Sequence, residues 1–252
     1  MSTLSGRTAV ITGGGTGIGV ACAKDLAAQG AKVILMARNL ERLQAAAAEI
    51  DGARAIKVDV TDDASVQQAF GEAMADGPVD ILVNNAGIAA ASAFHKTSLE
   101  EWRRIQAVNV EGLFRCSQAV IGDMMRADYA RIVNIASIAG LRGGAYIAPY
   151  VASKHAVVGL TKSLSLEYAK TNLTVNAVCP GYVDTAIVDN SVANIMEKTG
   201  RSRDEALAEL TKNNPQGRLI RPEEVAEMVT WLCSPLSASV SGQAIMIAGG
   251  AI

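Results

Sequence analysis

A strand, a glycine turn and a helix are predicted in immediate succession near the start of the chain. Residues 7–12 have strand character, residues 13–19 contain five glycines, and residues 17–29 are rich in alanine. Glycine permits positive φ and lets the backbone approach a ligand closely, and the first turn of a helix offers free N–H groups to phosphate. In this context the glycine loop predicts a dinucleotide-phosphate site, with a turn that binds nothing as the alternative.

Apolar runs alternate with amphipathic stretches along most of the chain, without a linker or an internal repeat. Continuous apolar strands that alternate with helices predict a parallel sheet covered on both faces. We therefore predict one α/β domain over residues 1–252, a Rossmann-type doubly wound parallel sheet of about seven strands with helices on both faces. The predicted strands are 7–12, 32–37, 54–58, 79–84, 130–136, 173–179 and 243–247, and the predicted helices are 17–29, 39–50, 62–75, 98–126, 149–170 and 222–234.

Residues 184–214 break this alternation and include a polar stretch that runs up to Pro215. The segment lies between the sixth predicted strand and the last predicted helix. We predict a helical substrate lid over about 184–214, because lids of this kind close over substrates and exclude water. A surface loop without such a role is the alternative.

The composition limits the partners that the chain could have. Half of its 252 residues are hydrophobic, 19% are charged and the formal net charge is −2, so we expect no nucleic-acid partner and no anionic membrane partner. No apolar run predicts a transmembrane helix, and the first seven residues do not resemble a signal peptide. The four cysteines and two histidines lack metal-ligand spacing, so we expect no metal site and a reducing, cytoplasmic compartment.

Tyr150 and Lys154 are four residues apart on a predicted helix, and Ser137 lies thirteen residues before the tyrosine. Positions i and i+4 share one face of a helix, so the phenol and the ammonium can point into one pocket. A neighbouring cation stabilises the phenolate and is expected to lower the pKa of Tyr150 from about 10. Such a tyrosine can exchange a proton with a carbonyl or an alcohol near neutral pH. For the pair alone, an ordinary amphipathic helix is the alternative.

Several motifs in register resemble those of the short-chain dehydrogenase/reductase family, over nearly the whole chain. They are the glycine loop with Thr12, Gly13, Gly17 and Gly19, the segment Asn84-Asn85-Ala86-Gly87, the tetrad Asn109, Ser137, Tyr150 and Lys154, and the turn Pro180-Gly181. The resemblance implies an enzyme that transfers hydride between a nicotinamide dinucleotide and a ketone or secondary alcohol. It also implies a Rossmann-type fold, in agreement with the strand and helix pattern.

The resemblance assigns roles to the tetrad. Tyr150 would be the general acid in reduction, and Ser137 would donate to the carbonyl oxygen. Lys154 would lower the pKa of the tyrosine and bind the nicotinamide ribose, while Asn109 would hold a water that resupplies protons. Residues 217–226 resemble the ketoreductase branch, so the expected substrate is a 3-oxoacyl thioester or an apolar ketone. The alternatives are an NAD-linked secondary-alcohol dehydrogenase of the hydroxyacyl type and a non-catalytic dinucleotide-binding sensor.

Arg38 bears on which dinucleotide is bound. Readers of NAD commonly carry an acid at the end of the second strand, where this chain has Ala37 followed by Arg38. A guanidinium suits the 2′-phosphate, so we predict NADP(H), with NAD(H) and a merely solvated arginine as the alternatives. Thr16 occupies the family's other basic position, so only one of its two NADP markers is present. The cofactor-binding residues implied by resemblance are Gly13, Thr16, Gly17, Ile18, Gly19, Arg38, Asn39, Asp59, Val60, Asn85, Ala86, Gly87, Tyr150, Lys154, Pro180, Gly181, Val183 and Thr185.

The substrate walls are expected from residues 88–96, 138–147 and the lid. The residues that we assign to substrate binding are Ser137, Ile138, Tyr146 and Ile187, and they indicate an apolar cavity. By resemblance, the helices predicted at 98–126 and 149–170 would form a dimer interface within a homotetramer.

Overall fold

The computed structural model describes residues 3–212 and 214–251. Asn213, which the sequence analysis includes in the lid, lies outside the described residues, as do residues 1, 2 and 252. Seven parallel strands form one sheet in the order β3-β2-β1-β4-β5-β6-β7. This arrangement confirms the predicted Rossmann-type doubly wound sheet. The strands are β1 Thr8–Thr12, β2 Lys32–Ala37, β3 Arg54–Lys57, β4 Ile81–Asn84, β5 Ala130–Ile135, β6 Leu173–Pro180 and β7 Ala244–Ile247.

Helices connect the strands and cover both faces of the sheet. Between β6 and the last helix, the predicted lid segment forms two helices that are joined at Gly200, which has a φ of 69° and caps the first of them. Ser202 and Glu205 then form a capping box that starts the second. The α-helices are α1 Gly17–Ala28, α2 Leu40–Ala48, α3 Asp63–Ala73, α4 Leu99–Gln106, α5 Gly112–Met124, α6 Ala148–Glu167, α7 Ala186–Thr199, α8 Arg203–Thr211 and α9 Pro222–Leu232.

Two apolar layers hold the helices on the sheet. Successive side chains of a strand point to opposite faces, so Ile11 packs in the layer with α1 and α9, and Val10 packs in the layer with α3 and α5. The strand order reverses between β1 and β4, because the chain first builds β2 and β3 on one side of β1. In open α/β sheets ligands bind outside the carboxyl ends of the strands at such a switch point. The fold therefore predicts a site above Thr12 and Asn84, the last residues of β1 and β4.

The single helix predicted over 98–126 is interrupted. A π-helical turn, Ala107–Glu111, separates α4 from α5 and contains Asn109. Such turns insert one residue into a helix and occur often at functional sites. Gly112 follows directly, and an added Cβ there would lie 2.7 Å from Cγ2 of Val60, so the helix packs closely on the segment after β3.

Within the described residues, none of the helices combines the length and the hydrophobicity that crossing a bilayer requires. The four cysteines are all buried and none forms a disulfide.

Candidate active site

The glycine loop is folded as tightly as its sequence predicts. Gly13 and Gly17 adopt positive φ of 64° and 53°. A Cβ at Gly19 would collide with the carbonyl oxygen of Gly13, and a Cβ at Gly13 would lie 2.8 Å from Nδ2 of Asn85. Thr16 is exposed and caps the N-terminus of α1 without a side-chain hydrogen bond, which leaves its side chain free. The loop therefore requires glycine at these positions and presents the first turn of α1 to a ligand.

Asn85 holds this loop from the neighbouring strand. Its Nδ2 donates to the carbonyl oxygens of Thr12 and Gly13, at 3.0 and 3.1 Å. Oγ1 of Thr12 in turn accepts from the backbone N–H groups of Asn85 and Ala86. The Nδ2 donors of Asn85 are therefore engaged by the glycine loop, and a contact between the adenine ribose and Asn85 remains a prediction. The role of Asn85 is to fix the loop.

A cavity of about 170 Å³ opens beside the loop, at the carboxyl ends of β1, β2 and β4. Arg38 lines it and is exposed, and Asp59 lines it as well. Hydrogen bonds from Thr61 hold the pKa of Asp59 below its usual range, and the charge of Arg38 contributes. Asn39 does not line the cavity, because its side chain caps α2 by accepting from the N–H of Arg42. Its residues are Gly13, Met36, Ala37, Arg38, Val58, Asp59, Val60, Ala86, Gly87, Ile88 and Val108.

This cavity fits the adenosine end of a dinucleotide. Its walls are apolar around a carboxylate that can accept from an amino group, and its lining includes the exposed guanidinium of Arg38. The nicotinamide end is expected along the turn after β6. There, a Cβ on Gly17 would lie 2.9 Å from Cγ2 of Thr185, so the glycine loop and the start of α7 meet. Gly181 pairs with Ile247, and Val183 is buried. Ile18 packs against the apolar layer beneath the loop.

Ser137, Tyr150 and Lys154 converge at the carboxyl end of β5. Ser137 begins a short 3-10 turn, and its Oγ accepts from the N–H of Ala139 at 3.1 Å. It also forms a hydrogen bond with the phenol of Tyr150. Nζ of Lys154 donates to the carbonyl oxygen of Ile135 at 2.8 Å and lies 5.7 Å from the centre of the Tyr150 ring. The predicted proximity of these three side chains is therefore observed.

The electrostatics of this cluster differ from the expectation. Burial raises the pKa of the Tyr150 phenol, and the hydrogen bond with Ser137 opposes that effect without overcoming it. Burial also lowers the pKa of Lys154 to about 8. The prediction that Lys154 lowers the pKa of Tyr150 is wrong for these residues alone, because burial has the largest effect on that pKa and Lys154 is not among the groups that shift it. The phenol is held in its protonated, proton-donating form.

Asn109 joins the cluster to the loop after β4. Its Oδ1 accepts from the N–H of Ile88, and its Nδ2 donates to the carbonyl oxygen of the same residue. The same nitrogen donates to Oγ of Ser153, which donates to the carbonyl oxygen of Tyr150. The π-turn aims the amide at these partners. Asn109 thus positions the catalytic helix, and the water-holding role remains a prediction.

Comparison with known proteins identifies the family that this geometry belongs to. A family model described as short chain dehydrogenase matches residues 7–195 of the 252. The chain belongs to the short-chain dehydrogenase family. This membership confirms the predicted NAD(P)-dependent oxidoreductase class and the predicted fold.

Relatives of this short-chain dehydrogenase are similar over almost their whole length. A Streptomyces coelicolor protein, provisionally named a ketoacyl reductase, is 39% identical over 99% of this chain and 98% of its own. A D-beta-hydroxybutyrate dehydrogenase of Cupriavidus necator is 37% identical and the 3-oxoacyl-(acyl-carrier-protein) reductase FabG of Aquifex aeolicus is 35% identical, each over 98% of both chains. A crystal structure of a variant actinorhodin polyketide ketoreductase with NADPH matches with a TM-score of 0.94 and 38% identity, covering 99% of this chain and 98% of that one.

The residues that were predicted to bind substrate differ in how exposed they are. Tyr146 is 69% exposed and is the only non-glycine residue with positive φ in residues 3–212 and 214–251, at 66°. Its carbonyl oxygen accepts from the N–H of Ser92 at 2.8 Å, which joins two of the expected wall segments. Ile187, on α7, is 46% exposed. Ile138 instead packs beneath Ala248 and Ala251 and is only 8% exposed, so the chain end covers this expected substrate contact.

Sequence reasoning missed a buried polar network under the site. Nδ2 of Asn84 donates to Oγ of Ser117 and to Oδ1 of Asn134, at 3.0 and 2.9 Å. Asn134 then donates to Oγ1 of Thr161 on the catalytic helix. Asn84 is buried at the end of β4. Asn84 at the end of β4 and Asn134 one residue before the end of β5 were the available signal, because a buried amide needs partners.

Proposed function

We propose that this short-chain dehydrogenase reduces ketones with NADPH, and that its substrate is a 3-oxoacyl thioester or an apolar ketone. One observation carries the proposal. A Cβ on Gly87, a residue of the dinucleotide cavity, would lie 3.6 Å from Nζ of Lys154 and 3.5 Å from Oδ1 of Asn109. The proposed cofactor cavity and the catalytic cluster therefore share a wall, which suits a reaction between a dinucleotide and a substrate bound over Tyr150.

Tyr150, Ser137 and Lys154 have separate roles in the proposed ketone reduction. Bound NADPH supplies the hydride that forms the new C–H bond at the carbonyl carbon. Tyr150 gives its proton to the carbonyl oxygen, and burial keeps the phenol protonated for that step. Ser137, which is hydrogen-bonded to the phenol, orients the same oxygen. Lys154 supports the transfer as a nearby cation, and the products are an alcohol and the oxidised dinucleotide.

The NADP(H) preference rests on the second strand. β2 ends in Ala37, no acid follows it, and Arg38 stands at the edge of the dinucleotide cavity. We expect the combined change Ala37→Asp and Arg38→Leu to move the preference from NADPH toward NADH by about 10- to 100-fold. The ratio of kcat/KM for the two cofactors measures the change. A variant with the wild-type ratio would contradict the assignment.

An assay on purified protein tests the proposed function directly. Nicotinamide absorbance is followed with NADPH or NADH and a panel containing a 3-oxoacyl thioester, an apolar ketone and a short 3-oxo acid. We expect turnover of the first two with NADPH, and none in Tyr150→Phe. Binding of NADPH without turnover of any substrate would favour the sensor. A preference for NADH and the short acid would favour the NAD-linked dehydrogenase, which the hydroxybutyrate dehydrogenase relative keeps open.

We also propose that α7 and α8 act as the substrate lid. Lys198, near the end of α7, donates to the carbonyl oxygen of Ala91 at 3.4 Å, so the proposed lid reaches one expected substrate wall. The bond is exposed and long, which suits an element that opens. Replacement of Lys198 by Met is expected to raise KM about 2- to 3-fold without changing kcat, since an exposed bond of this kind contributes below about 1 kcal/mol.

We propose a cytoplasmic homotetramer as the assembled form. Large apolar side chains are exposed on the helices that the resemblance places at an interface, namely Trp102 on α4, Phe114 on α5 and Leu166 on α6. Leu166 is 78% exposed, which favours a covering subunit over solvent. The buried, unpaired cysteines suit a reducing compartment. Light scattering on the wild type and on Leu166→Glu tests the assembly, and a wild-type monomer would contradict it.

A further inference from the structure

A tight turn follows α8 and is organised by the side chain of Asn214. Oδ1 of Asn214 accepts from the N–H of Gln216 at 2.9 Å, and its Nδ2 donates to the carbonyl oxygen of Arg218 at 2.7 Å. The carbonyl oxygen of Asn214 also accepts from the N–H of Gly217, which has a φ of 64°. Residues 214–218, the Asn214 turn, are therefore a compact unit at the C-terminal end of the proposed lid.

The base of the proposed lid is fixed on two sides. The N–H of Ile220 donates to the carbonyl oxygen of Tyr182, and the N–H of Asp184 donates to the carbonyl oxygen of Ile220, at 2.8 and 2.9 Å. The segment that enters α7 is therefore paired with the segment that follows α8. Arg218 binds Glu224 on α9 through two hydrogen bonds of 2.7 Å. Movement of α7 and α8 would thus occur about a base that stays with β6 and α9.

The third side of this base is the last part of the chain. Gly249 and Gly250 adopt positive φ of 61° and 88°. A Cβ on Gly249 would collide with Oδ1 of Asn214. A Cβ on Gly250 would lie 3.3 Å from Cγ of Pro215. The backbone of residues 248–251, the chain-end segment, therefore lies directly against the Asn214 turn.

The chain-end segment also packs against the proposed catalytic cluster. Ala248 and Ala251 cover Ile138. Ile138 is the first residue of the 3-10 turn that Ser137 caps. One short segment therefore touches both the base of the proposed lid and the turn that carries Ser137, and its position sets the separation between them.

We propose that Asn214 is a positioning residue for the substrate. Because it rests on Gly249, its side chain sets the distance between the base of the lid and the turn of Ser137, and with it the depth of the space for the substrate. The proposal rests on the proposed ketone reduction and on α7 and α8 acting as the lid. Asn214 acts through the chain-end segment, so its loss should change KM and leave kcat and NADPH affinity unchanged.

A double-mutant cycle tests the contact between Asn214 and Gly249. Asn214→Ala removes both side-chain hydrogen bonds of the turn, and KM for a 3-oxoacyl thioester should rise about 10-fold. Gly249→Ala places a Cβ against Asn214 and should raise KM by a similar factor. In the combined variant the Cβ no longer meets the amide, so the increase should be well below the product of the two single increases.

Gly52→Ala is the matched control for the glycine change. Gly52 has a φ of 69°, close to the 61° of Gly249, but a Cβ there would meet nothing within 4 Å. Both variants place alanine in a strained backbone conformation and should lower the thermal midpoint, whereas only Gly249→Ala should raise KM. An equal KM increase in Gly52→Ala would assign the effect to general destabilisation and overturn the proposal.

Hydrogen exchange separates this proposal from the proposed function. Asn214→Ala should speed amide exchange in α8 and in residues 248–251 but not in β5, and unchanged exchange in both segments would contradict the contact. If wild-type protein reduces the thioester and the two KM increases multiply in the combined variant, the proposed function stands and Asn214 is not a positioning residue. If wild-type protein reduces no ketone, the proposed function fails and the substrate role of Asn214 fails with it, whereas faster exchange would still show the contact.

Discussion

The glycine loop is held by glycines and by uncharged hydrogen bonds, whereas the cluster of Ser137, Tyr150 and Lys154 places a buried lysine beside a partly buried tyrosine. In the loop, Asn85 and Thr12 satisfy the backbone groups that the tight turn leaves open. In the cluster, burial moves the pKa of Tyr150 up and that of Lys154 down to about 8. Both pKa shifts arise because burial disfavours the charged form of the side chain.

The two regions should therefore respond differently to substitution. Stability and cofactor binding depend on the same contacts in the glycine loop, so a change there should lower both. In the cluster of Ser137, Tyr150 and Lys154, the groups proposed to perform the chemistry are poorly solvated, so a change there is expected to remove activity and leave stability intact or improved. Four substitutions or conditions test this difference.

The largest effect is expected from Tyr150→Phe. It removes the proton donor and keeps the ring, so kcat for ketone reduction should fall by at least about 100-fold. NADPH affinity and the thermal midpoint should stay near the wild-type values, because the buried ring still fills its place. Tyr168→Phe, just after the C-terminal end of the same helix, is the control. Turnover close to wild type would remove Tyr150 from the mechanism.

Gly19→Ala should instead lower affinity and stability together. The added Cβ would collide with the carbonyl oxygen of Gly13, and overpacking of this kind costs about 1–3 kcal/mol. We expect NADPH to bind at least about 10-fold more weakly and the thermal midpoint to fall.

Gly71→Ala is the matched control for this change. Gly71 lies in α3, and a Cβ there would meet nothing within 4 Å. Because alanine favours a helix, this variant should gain about 0.5–1 kcal/mol in the free energy of unfolding. Normal NADPH affinity in Gly19→Ala would show that the loop accommodates the added Cβ in spite of the expected collision with Gly13.

The same contrast explains what could be predicted from the sequence. The sheet, the glycine loop and the proximity of Tyr150 to Lys154 depend on local periodicity and spacing, and the structure has all three. The direction of the Tyr150 pKa shift depends on how deeply the whole fold buries the phenol, which spacing does not show. The proximity of Tyr150 to Lys154 was therefore predicted correctly, and the direction of the Tyr150 pKa shift was not.

The other differences between prediction and structure also come from contacts that form only in the folded chain. Ile138 is covered by Ala248 and Ala251, which follow it by more than a hundred residues in the chain. The hydrogen bond from Asn85 to the glycine loop was not predicted because β1 and β4 become neighbours only in the folded sheet. The π-turn at Asn109 has no local sequence signal, since helix periodicity continues through it.

The pH dependence of reduction is the third test. The pKa of Lys154 is lowered to about 8, so the ammonium is present below that pH and is lost as pH rises above it. The raised pKa of Tyr150 keeps the phenol protonated over the same range. We expect kcat/KM for reduction to be level near neutral pH and to fall up to about 10-fold for each pH unit above about 8.

Lys162→Met provides the control for that profile. Lys162 is exposed on the same helix, so its removal should leave the curve unchanged. A curve that stays level until about pH 10, the ordinary range of lysine, would show that burial does not set the ionisation of Lys154.

The smallest effect is expected at Tyr146, where stability and substrate contact should oppose each other. A positive φ of 66° is strained for tyrosine, so Tyr146→Gly should raise the free energy of unfolding by about 0.5–1 kcal/mol. The same change removes an exposed ring from an expected substrate wall, so KM for an apolar ketone should rise about 5-fold. Chemical unfolding and steady-state kinetics measure the two.

Tyr146→Phe keeps both the strain and the ring, and should match the wild type in both measurements. If Tyr146→Gly lowers stability, the conformational freedom that glycine adds to the unfolded chain outweighs the relief of backbone strain. If it leaves KM unchanged, the ring is not part of the substrate wall. A stability gain with a higher KM would show that the substrate side of this dehydrogenase, unlike its glycine loop, gives up stability for contact with the ligand.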